Sequence, residues 1–401
     1  MKIRYLLVLL ICSLALRFYF IFRVPVSWNP SSTTIQAFND EPAHVNYVQY
    51  LRENRSLPLQ KQHAQEKNAF ITNQFEYYQP PLAYVLTAIL AGLGHIPTQS
   101  QTLFIFCRIV ICVAGLLGIV LFYSIASKFF SAKWSLLFTS LYAFMPVHWR
   151  HTSSFSNDAF LWIFMILLLF MISKKLHNPY QMKDRFIEGC LIGLGLWTKL
   201  SMLTIIPAYI ILSMLDRKQW QNWILPALIG CLISSPYFIR NYLLYQELFG
   251  IQLSHGPAQE ALQTLSPYIL FRFIRGFLLT FTFPFDTLDI PFYLKLPAYL
   301  LWAFLFIMFM IQFLIRNIRS IQNRSLSLHT ILSIIVFSTA ASVIYYNWKY
   351  LQTEFRNIFY IMPVLLLQAG SYIWKGNYFK WMVLLLTAVC YPLILVLWST
   401  W

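Results

Sequence analysis

Uncharged apolar runs such as Leu296 to Ile315 and Leu328 to Tyr346 recur along this chain, each close to the ~20 residues that one α-helix needs to cross a hydrocarbon core. A transmembrane β-barrel would instead show short segments of alternating polarity. The chain therefore reads as an all-α, polytopic membrane protein. Composition agrees: of 401 residues 58% are hydrophobic, 18% aromatic and only 11% charged. That leaves too few charges to clothe a soluble globule and too many apolar runs for disorder.

In this setting the net charge of +16 is a topology signal and an attraction to anionic lipid, and it implies no nucleic-acid partner. Cys12, Cys107, Cys112, Cys190, Cys231 and Cys390 all fall in apolar stretches without metal-type spacing, so no disulfide framework is expected. The N-terminus, Met1-Lys2-Ile3-Arg4 and then Tyr5 to Leu16, imitates a secretory signal. The apolar run continues to Phe22 with no small-x-small cleavage site, which reads as an uncleaved anchor with a cytoplasmic start.

Topology turns on the short piece Leu82 to Leu93, which follows Pro80-Pro81, a helix-start signal. If it crossed the membrane, the basic groups Lys128/Lys133, Lys174/Lys175/Lys183/Arg185, Arg217/Lys218, Arg316/Arg319/Arg324 and Lys375/Lys380 would lie outside, against the positive-inside tendency. If it lies in the interface, all five groups face the cytoplasm. The second arrangement implies about eleven spans and a C-terminus at Trp401 outside the cytoplasm. No internal repeat or linker divides the chain, so one membrane domain is expected: a catalytic module over residues 1–239 with an outer loop at 23–102, a second outer loop at 240–295, and C-terminal helices over 296–401. The stretch Tyr268 to Phe283, apolar but carrying Arg272 and Arg275, reads as a helix lying in the interface.

That topology puts several polar groups on one membrane face. Asp40-Glu41 opens an amphipathic helix from Pro42 to about Asn54, with Ala43, Tyr47, Val48 and Leu51 on one side. Asn39 or Asp40 can cap this helix, and the acids complement its dipole. Capping does not require two adjacent acids beside a bilayer that repels charge, so the pair also reads as functional. Asp158 opens a span from Ala159 to Ser173 and is open to the same two readings; on the same face as Asp40 it makes a carboxylate pair for base catalysis or cation binding. His148 and His151, at i, i+3, could contribute metal ligands, but beside Trp149 and Arg150 they read rather as interfacial anchors. Lys199, Arg240 and Arg356 each suit headgroup snorkelling, and as a set facing the acids they suit a lipid phosphate.

The order Asp40-Glu41-Pro42-Ala43-His44, Tyr77-Tyr78-Gln79-Pro80-Pro81-Leu82-Ala83-Tyr84, Ser156-Asn157-Asp158-Ala159, Trp197-Thr198-Lys199-Leu200, Pro236 to Leu244, and Gln352-Thr353-Glu354-Phe355-Arg356 ahead of Pro363 resembles the GT-C superfamily of membrane glycosyltransferases. Within it the motifs are most similar to protein O-mannosyltransferases and lipid A aminoarabinose transferases. Gln79 departs from the His that the mannosyltransferases usually place before Pro-Pro, which bears on the acceptor and not on the fold.

The resemblance implies a GT-C fold with extracytoplasmic juxtamembrane helices, and inverting transfer from a polyprenyl-phosphate-linked sugar to a lipid, glycan or protein acceptor. Asp40 is then the catalytic base, with Glu41 and Asp158 completing the catalytic carboxylates. Lys199, Arg240 and Arg356 would meet the charge on the departing phosphate, and His44, Tyr78, Gln79 and Gln352 would line the substrate site. A divalent cation, if one is used, would fall to Asp40 and Asp158. The expected location is the cell's inner membrane, with membrane lipids around the helices and the site facing away from the cytoplasm. The rival class is a lipid or lipid-linked sugar flippase, which would place its charges at mid-membrane in broken helices.

Overall fold

The computed structural model describes residues 2–23, 40–60, 76–98, 101–250, 266–282, 296–297, 300, 327–349 and 355–373. Among these the chain is helical and without strands. The expected span Leu296 to Ile315, the basic groups Arg316/Arg319/Arg324 and Lys375/Lys380, the last apolar run, Asn39 and Gln352 lie outside the described residues, apart from a few at the start of that span.

In chain order the helices are α1 (Lys2–Arg23), α2 (Glu41–Asn54), α3 (Leu82–Leu93), α4 (Gln101–Phe129), α5 (Ala132–Phe144), α6 (Pro146–His151), α7 (Asp158–His177), α8 (Met182–Leu196), a 3-10 turn (Leu200–Thr204) leading into α9 (Ile205–Leu215), α10 (Gln221–Tyr245), α11 (Pro267–Thr282), α12 (Leu328–Lys349), a second 3-10 segment (Phe355–Ile361) and α13 (Met362–Ile373). Five helices among the described residues are long and apolar enough to cross a membrane: α1, α4, α7, α10 and most of α12. The expected count of about eleven is therefore not established. The described helices also include shorter ones, such as α5 with 13 residues and α9 with 11.

The helix α3 has 12 residues, a length of about 18 Å, well short of a ~30 Å hydrocarbon core. It packs on α2, and Tyr84 and Ala83 are buried there. The two helices form a cap over one end of the bundle, where α1 ends and α4 begins.

At the opposite end the basic residues gather. Lys175 of α7 donates to Glu188 of α8 and to the carbonyl of Asn222 at 2.6 Å, and lies 3.7 Å from the ring centroid of Trp223 in α10. Tyr180 and Tyr209 donate to the same Glu188 carboxylate at 2.6 and 2.5 Å, so a buried acid joins α7, α8, α9 and α10. A partnered charge of this kind is tolerated in an apolar bundle.

Helices α8 and α10 run in the same direction at very close range. A Cβ on Gly189 would fall 2.6 Å from Ile229, one on Gly193 2.7 Å from Ile233, and one on Gly230 2.6 Å from Ile192. Small residues at four-residue spacing let two backbones meet where lipid supplies no hydrophobic drive between helices. The C-terminal ends of the pair lead to Lys199 and Arg240, so its spacing matters there. Gly193→Leu should destabilise the protein by about 1–3 kcal/mol through overpacking. An unchanged unfolding midpoint in detergent would rule out this close approach.

Candidate active site

The two adjacent acids have separate environments. Glu41 is buried and faces Arg108, a single arginine within the apolar α4. Arg108 donates from Nε to Oε1 at 2.8 Å and from Nη2 to Oε2 at 2.6 Å, a bidentate fork, and its Nη1 reaches the carbonyl of Ile21 at 2.9 Å. The backbone N–H of Phe155 adds a further donor to Glu41 at 2.8 Å. The ion pair thus ties α1, α2, α4 and the segment before α7.

That segment, Thr152 to Asn157, is a buried connection, a place where backbone polar groups are costly. Its composition answers the problem. The hydroxyls of Thr152 and Ser153 donate to the carbonyls of His148 and Trp149 at 2.8 and 2.7 Å, and Glu41 takes the Phe155 amide. His148 and His151 are buried beneath it and are not interfacial anchors. Arg17 of α1, also buried, donates to His148 Nδ1 at 2.7 Å and to Thr152 Oγ1 at 2.7 Å, and Phe20 stacks on Trp149.

Asp40 stands one residue before α2 and keeps 15% of its side chain exposed. It makes no side-chain cap, so the capping role is not its geometry here. Its Oδ2 lies 3.7 Å from Nε2 of His44, one turn on, and the His44 Nδ1 pairs with the Tyr84 hydroxyl at 2.7 Å. Burial, ahead of the Glu76 charge, raises the Tyr84 phenol well above its ordinary range, so it stays protonated. Glu76 completes a group with Asp40 and His44 in which one carboxylate or imidazole atom from each lies within 4.8 Å of the others.

From Glu76 a polar chain runs across the site. Gln79 donates to Glu76 Oε2 at 2.9 Å and to the Tyr78 hydroxyl at 3.0 Å, while Asn157 donates to Gln79 Oε1 at 3.2 Å and to the carbonyl of Thr198 at 2.9 Å. The amide of Leu82, at the start of α3, bonds the carbonyl of Trp197 at 2.9 Å. The turn between α8 and α9 is therefore held by α3 and by the residue before Asp158. Asp158 itself is buried and accepts from Lys199 at 2.5 Å and from Ser156 at 3.2 Å.

Of the sequence-predicted site residues, the structure brings together Asp40, His44, Tyr78, Gln79, Asp158 and Lys199. Glu41 sits just behind them in its ion pair. Arg240 lies near the C-terminal end of α10, where it donates to the carbonyl of Pro58 at 2.8 Å; Tyr237, one turn earlier, bonds the carbonyl of Tyr78. Arg356 belongs to the second 3-10 segment, whose Phe359 packs on His148 and Trp162. The sequence reading missed Glu76 and Arg108, and gave Asn157 no role beyond the motif around Asp158. Arg108 had a signal, since an ionisable residue in a 29-residue apolar helix is costly unless it has a task. Glu76 had none, because it meets Asp40 only through the fold.

The sequence profile of the dolichyl-phosphate-mannose-protein mannosyltransferase family matches residues 79–239, less than half of the chain. A comparison with curated protein sequences finds no match. Among solved structures, apo ArnT from Cupriavidus metallidurans aligns with a TM-score of 0.59 at 15% identity, covering 94% of this chain and 61% of that one. The same enzyme bound to undecaprenyl phosphate gives 0.58 at 16%, with the same coverage. The Archaeoglobus fulgidus oligosaccharyltransferase tethered to an acceptor peptide gives 0.57 at 15%, covering 99% of this chain and 55% of that one. The chain has the GT-C fold, the architecture of these membrane glycosyltransferases. It spans about three fifths of the length of the structures it matches.

Removing one partner of a buried ion pair strands the other charge, at a cost of about 3–5 kcal/mol. Arg108→Leu should lose that much stability, and Arg108→Lys, which keeps the charge but not the fork, should lose less. A wild-type unfolding midpoint for Arg108→Leu would show that Glu41 does not depend on it.

Proposed function

We propose that this protein is an inverting glycosyltransferase that moves a sugar from a polyprenyl-phosphate donor to an acceptor at the extracytoplasmic membrane face. The observation that carries the reading is the contrast between the two acids on a GT-C fold: Glu41 is buried and bound, while Asp40 reaches the surface of a polar site. The likeness to a structure bound to undecaprenyl phosphate and to one bound to a dolichol-phosphate supports the donor class.

In the reaction the acceptor oxygen attacks the anomeric carbon as the carbon–oxygen bond to the donor phosphate breaks. The acceptor's proton passes to Asp40, whose carboxylate is the base, and the bonding electrons leave with the phosphate. A phosphate leaving group needs no proton. Its charge is met by fixed cations: Lys199, aligned by Asp158, together with Arg240 and Arg356. Tyr78, Gln79, His44 and Gln352 position the substrates. Glu41 acts through Arg108 and Phe155, setting where α2 begins and so where Asp40 stands.

Purified protein offered a panel of polyprenyl-phosphate sugars should release lipid phosphate, and Asp40→Asn should slow transfer roughly 10²- to 10⁴-fold with the fold retained. Near-normal turnover in that variant would remove Asp40 as the base. Lipid movement without sugar transfer would instead indicate a flippase.

The site's facing has its own test. Arg55, exposed just after α2, and Lys218, exposed between α9 and α10, lie at opposite ends of the bundle. Arg55→Cys should react with an impermeant thiol reagent in intact cells, and Lys218→Cys only after permeabilisation. The reverse pattern would place the site in the cytoplasm.

A further inference from the structure

We infer that Asp40, His44 and Glu76 form a binding site for one divalent transition-metal ion of the Zn²⁺ or Mn²⁺ class. The sequence pointed to Asp40 and Asp158 for any cation, but Asp158 is engaged by Lys199 at 2.5 Å. The groups that converge with Asp40 are an imidazole and a second carboxylate, all three ligand atoms lying within 4.8 Å of one another.

Around an ion with bonds of about 2.1 Å, neighbouring ligand atoms lie about 3–4 Å apart. The Asp40 to His44 separation of 3.7 Å already meets that spacing, and Glu76 needs only a small side-chain adjustment to join. Two carboxylates and one neutral imidazole carry two negative charges, the complement of a single dication. One nitrogen and two oxygens suit Zn²⁺ or Mn²⁺ better than Ca²⁺, which takes six to eight oxygens.

The surroundings are arranged as a metal's outer shell is. A ligating His44 Nε2 needs the proton on Nδ1, and Nδ1 lies 2.7 Å from the Tyr84 oxygen, which can accept it and fix the tautomer. Stacking on Tyr84 holds the ring plane, and Gln79 holds the Glu76 carboxylate through Oε2 at 2.9 Å. His44 and Asp40 are one turn apart on α2 and Glu76 precedes α3, so the ion would also join the two cap helices.

Three protein ligands leave coordination positions for an outside oxygen. Only this part of the inference rests on the proposed transfer reaction. There a bound ion would make the acceptor hydroxyl more acidic, and Asp40, holding the ion, would still take the proton.

The test uses full-length protein in detergent, stripped with EDTA and dialysed against Zn²⁺ or Mn²⁺ without any sugar donor, with bound metal counted by mass spectrometry. Wild type should take up about one ion per chain. His44→Gln and Glu76→Gln should bind at least ~10-fold more weakly, and Tyr84→Phe, which removes only the partner of Nδ1, ~10- to 100-fold more weakly. Comparison is made among variants that keep the wild-type unfolding midpoint. Wild type without stoichiometric metal overturns the site, whichever variants fold, and so does uptake that is unchanged in all three. Metal uptake without sugar transfer leaves the site standing and defeats the glycosyltransferase reading alone. Full transfer activity in EDTA overturns the role given to the ion.

Discussion

The buried fork between Glu41 and Arg108 is the contact on which the rest of the site depends. Both groups are almost wholly removed from solvent, at 1% and 0% side-chain exposure, so each would be prohibitive alone. Together they satisfy one another, and the remaining capacity is spent on backbone: Arg108 on the Ile21 carbonyl at the end of α1, Glu41 on the Phe155 amide before α7. Four separate parts of the chain are fixed by one pair of side chains. Asp40 inherits its position from this contact, because it is the residue next to Glu41.

The second constraint is the handling of turns at the site end. The connection from α6 to α7 is enclosed by protein and the turn from α8 to α9 is partly so, and in such places an unpaired amide or carbonyl is expensive. Serine and threonine hydroxyls, Asn157 and the amide of Leu82 supply the missing partners. The same bonds bring Gln79, Asn157 and the Asp158–Lys199 pair into one array. Chain reversal and site assembly are therefore one structural problem with one solution, and α8 and α10, in near backbone contact, support it from below.

Much of this was legible in the sequence because its signals are local. Apolar run length marked α1, α7 and α12; Pro80-Pro81 and the shortness of Leu82–Leu93 marked a helix too short to cross. The acids and the outer cations were visible as charges out of place in an apolar chain. Their partners were not, because pairing is non-local: Glu41 and Arg108 are 67 residues apart, and Asp158 and Lys199 are 41. Lys199, which suited headgroup snorkelling or a phosphate contact, is held by a carboxylate. His148 looked like an interfacial anchor because histidine, tryptophan and arginine cluster there, yet Arg17 claims it in the interior. The expected span count rested on apolar runs and on the placing of basic groups, several of which lie outside the described residues.

The central claim is that two neighbouring carboxylates divide the work, Glu41 holding the cap and Asp40 serving the site. The most direct measurement is the unfolding midpoint of Glu41→Gln and Asp40→Asn, taken side by side in the same detergent. Loss of the buried pair should lower the midpoint of Glu41→Gln by roughly 5 °C or more, while Asp40→Asn stays close to wild type. Equal losses in both variants, or a larger loss in Asp40→Asn, would contradict the division.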